Sequence, residues 1–174
     1  MLRARRRVAF GRHETCALLA KLFSALNASP GITSIMKIDF GDYELDRDLA
    51  RVQFGRVHAW LTETYWSPGI TLERVIRAAE HSSFVVGAYF GGEQVGYMRV
   101  VSDRTTFGWI CDVFVEQSHR GKGLAKAMVH YALDHPDHQD MRRWLLATKD
   151  AHPIYSQCGF KLLPQPERWM VKLP

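Results

Sequence analysis

The chain has 174 residues, enough for one compact domain with its own core. Hydrophobic residues make up 47% and charged residues 24%, a globular balance that excludes a wholly disordered or fibrous chain. The 23 Lys and Arg outnumber the 18 Asp and Glu to give a net charge of +5, but Arg3, Arg5, Arg6, Arg7 and Arg12 carry that excess, so the body of the chain is about neutral and no nucleic-acid partner is expected.

Residues 1–35 are Arg-rich and hold a single acid, Glu14. The apolar segment from Cys16 to Leu26 is interrupted by Lys21, which spoils a signal peptide. A transit peptide fits somewhat better, and so does a start of translation at Met36. On each reading residues 1–35 are expected to be an extension, disordered or outside the fold, and residues 36–174 the domain.

From Ile38 to Asp46 apolar residues alternate (Phe40, Tyr43, Leu45), which predicts a first strand. Phe54, Val57, Trp60 and Leu61 recur at helical spacing, so 53–64 reads as a helix that Pro68-Gly69 ends. Thr71, followed by Leu72, Val75, Ile76 and Ala79, starts a second helix. The β-rich run 83–90, the Gly91-Gly92 turn and 94–101 predict a hairpin. A further β-run covers 105–115, and a helix covers 125–133. A strand over 143–148 is expected to bury Trp144, Leu145 and Leu146. A short helix over 154–157 precedes Gly159, and a last strand is expected over 169–173. The order β-α-α-β-β-β-α-β-α-β predicts an α/β (α+β) domain, a mixed sheet with helices on its faces. Cys16, Cys111 and Cys158 are widely spaced, with no CxxC pair. Neither a structural metal site nor a disulfide framework is expected, and a reducing, cytoplasmic location fits. No apolar run reaches membrane-crossing length, so no membrane partner is expected.

The segment VFVEQSHRGKGLA, 113–125, joins a β-run to a helix through two glycines, an arginine and a lysine. The helix carries Lys122, Lys126, His130 and Asp134 on one stripe and Leu124, Ala127, Met128 and Tyr131 on the other, so it begins near Gly123. Helix N-termini expose unpaired N–H groups and the positive end of the dipole, and small residues let a phosphate approach them. Two familiar phosphate motifs are excluded. GxxxxGK[ST] does not occur, and the dinucleotide fingerprint would need glycine where Lys126 stands.

What remains is Arg-x-x-Gly-x-Ala, Arg120 to Ala125, directly after a strand. It resembles the pyrophosphate-binding motif of the GNAT acyl-CoA N-acyltransferases. A second stretch, AHPIYSQCGF from Ala151 to Phe160, resembles that family's short helix with a tyrosine four residues before Gly-Phe. The two motifs are one helix and one strand apart, as in the family, and the resemblance covers about 37–173. It is nearest to a group of small bacterial GNAT proteins of unassigned substrate that share the phrases DVFV, RGKGL and WLLAT.

The resemblance implies a single-domain GNAT fold with splayed central strands and helices on both faces. It implies acetyl-CoA as cosubstrate, an unidentified amine as acceptor, no metal, and a monomer or homodimer. Phe114 and Val115 take the place of the backbone that pairs with the pantetheine arm. Arg120, Gly121, Lys122, Gly123, Leu124 and Ala125 take the pyrophosphate. Thr148 stands where many members have an asparagine that binds the cofactor arm. Tyr155 matches the tyrosine that protonates the departing thiolate, and a phenol suits that task. For the base that accepts the amine proton, Asp112 and His152 are both candidates, with an ion pair and a helix start as their alternative roles. Glu116 reads as a solvated strand-end charge. Tyr65 and Trp66 lie where the family shapes its acceptor pocket, or serve as aromatic anchors between helices. A GNAT-fold module that binds acyl-CoA without turnover is the alternative function.

Overall fold

The computed structural model describes residues 36–172, and the readings made for residues 1–35 lie outside them. The first strand is a hairpin instead of one strand: β1, Lys37–Phe40, turns at Gly41-Asp42 into β2, Tyr43–Asp46. Gly41 takes a positive φ of 62°, which allows a two-residue turn where the apolar residues shift from Ile38 and Phe40 to Tyr43 and Leu45. A 3-10 turn, Leu49–Arg51, leads to α1, Phe54–Leu61, and then to α2, Leu72–Glu80. The predicted hairpin forms as β3, Phe84–Phe90, and β4, Glu93–Ser102. Strand β5, Gly108–Val115, is followed by a 3-10 turn, Gln117–His119, and by α3, Leu124–Leu133. A 3-10 turn at Pro136–His138, the strand β6, Trp144–Leu145, α4, His152–Ser156, and a last 3-10 turn, Pro166–Arg168, complete the order.

The six strands form one sheet in sequence order, antiparallel throughout except for the parallel pair β5–β6. Two expectations near the C-terminus are corrected. The strand over 143–148 shortens to two residues, and Trp144, Leu145 and Leu146 are only half-buried. Residues 169–172 form no strand, and Met170 and Val171 are 97% and 80% exposed. The apolar run there has no paired neighbour among the described residues, and a strand is stable only when a neighbour completes its ladder.

Strand alternation explains why helices cover both faces. Phe84 meets Tyr131 of α3 edge-on, with ring centroids 5.4 Å apart. Its neighbour Val85 points the other way and joins Val57, Leu61, Val75, Ala79 and Tyr97 under α1 and α2. Fully burying each large side chain of this set contributes about 1.5–3 kcal/mol. Two caps fix the helices. The Thr71 hydroxyl accepts from the Arg74 N–H at 3.4 Å, as its position before α2 predicts. Residue Gln53 gives α1 no side-chain cap; instead its N–H donates at 2.7 Å to Oε1 of the fully buried Gln94, which in turn donates to the Gly96 carbonyl. No helix among the described residues is long and apolar enough to cross a membrane.

A polar group is buried under the far side of α3. His135 and His138 are 1% and 2% exposed, packed against Phe84 and, for His138, Trp144. His135 Nε2 meets the Arg47 guanidinium, and His138 Nδ1 donates to the Ala132 carbonyl at 2.7 Å. Asp137 and Arg104 are the other charges nearby. Burial, followed by the Arg47 charge, pushes His135 down to about 4, and burial also lowers His138. A histidine lowered on folding binds its proton more readily in the unfolded chain. Its stabilisation is therefore complete above about pH 6.5 and is lost as pH falls toward 4, by roughly 3 kcal/mol for His135. Urea denaturation between pH 7 and 4 should show this loss, and His135→Gln should flatten the slope; equal slopes would remove His135 as the cause.

Candidate active site

The site begins with one extra residue in β5. Tyr97 pairs with Phe114 and Arg99 with Cys111, so Met98 faces both Asp112 and Val113. This is a β-bulge, and Asp112 in it has a φ of 55°, a conformation that Asp tolerates better than most residues. Strand β6 pairs with β5 only at Gly108 and Trp109. Beyond the bulge, among the described residues, no strand flanks Val113–Val115 on that side. Such an edge offers backbone N–H and C=O groups to an extended ligand as a neighbouring strand would. Trp60 of α1 stacks on Phe114 at 5.0 Å and 17°, fixing this end of the strand.

The Asp112 carboxylate accepts from Arg99 Nε at 2.6 Å, and both side chains are mostly buried. Burial works against the Arg99 charge, but Asp112, together with Cys111 and Tyr97, holds the guanidinium above its ordinary value. Removing one partner of such a pair strands the other charge. Asp112→Asn keeps the shape and tolerates the positive φ, so it isolates the charge. We expect it to cost about 1–3 kcal/mol in a urea titration. Unchanged stability would show that the pair is incidental.

The loop after β5 is built from both sides. Arg120 turns back, its Nε donating to the Val115 carbonyl at 2.8 Å and its guanidinium lying 5.6 Å from the Phe114 ring. His119 Nδ1 bonds the Tyr43 hydroxyl at 3.0 Å, and Lys122 Nζ lies 5.7 Å from the Tyr43 ring. The hairpin β1–β2 thus braces the loop. Gly121 and Gly123 have φ of 74° and 88°, and Gly123 is the N-cap of α3. A Cβ on Gly123 would stand 3.5 Å from Phe40 Cζ. No side chain caps α3 and no acid lies in its first turn, so its leading N–H groups, Leu124 and Ala125 among them, face outward at the end of the bulged strand. An anion finds there the positive end of a helix.

Helix α4 carries Tyr155. Gly159, with a φ of 88°, lets the Phe160 N–H reach back to the Tyr155 carbonyl at 3.1 Å, which closes the helix. This is the physical reason for the Tyr-x-x-x-Gly-Phe spacing, and the two rings meet edge-on at 6.1 Å. Tyr155 is half-buried, and burial pushes its phenol up to about 12, with Tyr65, Cys158 and Asp150 acting in the same direction. At the other end, the Thr148 hydroxyl accepts from the Ala151 N–H at 3.0 Å and shapes the turn into α4. His152 is exposed, one turn before Tyr155.

Two further links draw these parts together. Lys126 Nζ of α3 donates to Gln157 Oε1 at 2.8 Å. The Tyr65 hydroxyl accepts from the Lys149 N–H at 2.8 Å. Tyr65 and Trp66 are 50% and 42% exposed and pack edge to face, so they stand at the rim and not in a core between helices. Glu116 is 4.0 Å from Arg56, a loose strand-end pair. Sequence reasoning missed Arg99, Phe40, Tyr43 and His119. Arg99 could be found from the β4–β5 register; the other three reach the loop from β1–β2 or support it locally, with no sequence signal.

The family model described as the acetyltransferase (GNAT) family matches residues 42–160. The crystal structure of a protein from Xanthomonas campestris pv. campestris, assigned there to the same family, is 36% identical, with a TM-score of 0.74 over 78% of this chain and 96% of that one. A Gibberella zeae protein, provisionally named an acetyltransferase, is 28% identical over 139 residues, 67% of this chain and 77% of its own length. A Clostridium acetobutylicum protein crystallised with acetyl-CoA has a similar fold, at 14% identity and a TM-score of 0.55, over 75% of this chain and 94% of that one.

Proposed function

The chain belongs to the acetyltransferase (GNAT) family, and from that premise we propose that residues 36–174 carry an acetyl-CoA-dependent transfer of an acetyl group to a primary amine. The observation that carries this reading is the sequence of a bulged strand edge, an uncapped glycine-bounded helix start and the half-buried Tyr155 phenol on the short helix that follows. Acetyl-CoA, as substrate, supplies the acetyl group already activated as a thioester.

The residues fit that substrate. The N–H groups at Gly121–Ala125 suit a pyrophosphate, and the open edge at Phe114 and Val115 suits an amide-bearing arm. Thr148 already accepts one hydrogen bond, which leaves its O–H to donate to the same arm. The amine nitrogen attacks the thioester carbonyl, and a backbone N–H of β5 stabilises the charge that develops on oxygen. The carbon–sulfur bond then breaks, and the Tyr155 O–H gives its proton to the thiolate. The ammonium proton leaves by His152 or through water to solvent. The Arg99 pair supports the ion-pair role for Asp112, so His152 is the favoured base of the two.

The test is thiol release from acetyl-CoA with a panel of acceptors: a small alkylamine, an amino acid, an aminoglycoside and a lysine-bearing peptide. Release that depends on one of them supports the transferase. Binding by calorimetry with no release across the panel would leave an acyl-CoA-binding module, and no binding would sink both.

A further inference from the structure

We propose that Tyr65 is a positioning residue that holds the turn before α4 and, through it, sets the place of Tyr155. The inference rests on the acid role given to Tyr155. Helix α4 has five residues and Ala151 gives it no side-chain cap, so it cannot fix its own entry. Its position depends on what holds 148–151. One hold is local, the Thr148 hydroxyl on the Ala151 N–H. The other comes from 84 residues away, the Tyr65 hydroxyl on the Lys149 N–H at 2.8 Å, with Lys149 Nζ 5.8 Å from the same ring.

The α1–α2 connection is a rigid place from which to reach. The N–H groups of Thr64 and Gly69 bond the carbonyls of Leu61 and Thr62, and the Ile70 N–H bonds that of Ser67. Thr64, beside Tyr65, is buried, and its hydroxyl donates to Leu61 at 2.7 Å. His58 of α1 bonds the Ile70 carbonyl at 3.0 Å. Tyr65 therefore projects from a braced loop, half-exposed, with its ring against Trp66. A core anchor would bury the ring; this one leaves it out and uses the hydroxyl. Trp60 of the helix before this loop stacks on Phe114, so one connected element touches the strand edge at one end and the Tyr155 turn at the other.

Tyr65→Phe deletes the hydroxyl and keeps the ring. Hydrogen exchange decides the holding role without any acceptor. The Lys149 amide and the α4 amides should exchange faster, while those of β3 and β4 stay unchanged. Unchanged exchange at 149–156 overturns the inference. Turnover with the best acceptor of the panel decides the link to Tyr155. Loss of one net hydrogen bond should lower kcat about two- to tenfold, with acetyl-CoA affinity unchanged. In a Tyr155→Phe background the same change should cost nothing further, because residues that act as one unit are not additive. Additive losses, or an unaltered kcat beside a slow Tyr155→Phe, refute Tyr65 as a positioning residue and leave the acid role standing. If Tyr155→Phe itself is silent, the acid role fails, and the exchange result alone settles whether Tyr65 holds the turn.

Discussion

Gly123→Val is expected to weaken acetyl-CoA binding at least about tenfold. The cradle at α3 offers N–H groups, and hydrogen bonds to a charged partner are worth about 1.5–3 kcal/mol each, so losing one suffices. On the proposed binding mode, a branched side chain at the N-cap would crowd the approach of the phosphate to the helix start. The fold suffers too: Gly123 has a φ of 88°, and a β-branched residue there costs roughly 1–3 kcal/mol. Its Cβ would also lie 3.5 Å from Phe40. The strain needs a control, and Gly92→Val provides one. Gly92 has a φ of 86° with open space around it, in the β3–β4 turn. Both variants should lose stability in a urea titration, and only Gly123→Val should lose affinity by calorimetry. Equal affinities in the folded variants would mean that the loop is only a turn.

Tyr155→Phe should leave acetyl-CoA affinity near that of the parent and slow the chemical step about a hundredfold. One oxygen is removed and the ring stays against Phe160, so packing survives. General acids contribute about 10²–10⁴-fold, and water replaces part of the loss. Because burial holds the phenol near 12, the group stays protonated throughout the working range. Tyr155 should therefore produce no fall in kcat below about pH 10. The comparison belongs under conditions where chemistry limits turnover, since slow product release would hide it. Parent-like turnover there would assign Tyr155 to structure and thiolate protonation to solvent.

Both glycine motifs were legible because each encodes a backbone requirement. A positive φ at 123 and at 159 is a local demand, and glycine is its local answer. The two central helices were legible from their apolar period, and the β3–β4 hairpin from its paired glycines. The first hairpin reads as one strand, although its apolar residues change phase across Gly41-Asp42, from Ile38 and Phe40 to Tyr43 and Leu45, which is the mark of a two-residue turn. The bulge at Asp112 was hidden for a different reason: whether a strand carries an extra residue depends on its partner's register, and DVFV reads as regular strand. The bracing of the loop by Phe40 and Tyr43 is tertiary throughout. At the C-terminus the apolar run from Trp169 suggested a strand, and a local pattern cannot say whether a neighbour is present.

The extra residue in β5 sets two aims of the molecule against each other. A sheet selected only for its own endurance would have little use for it, since a bulge breaks the ladder where it sits. A segment paired on one side only is the one the proposed chemistry occupies. Engineering for heat resistance by regularising this strand, or by extending β6 beyond Leu145, should therefore raise the melting temperature and silence the protein together. The Arg99–Asp112 pair then takes on a further meaning. It fastens an irregularity in place, so that the opening persists when no substrate is there to hold it.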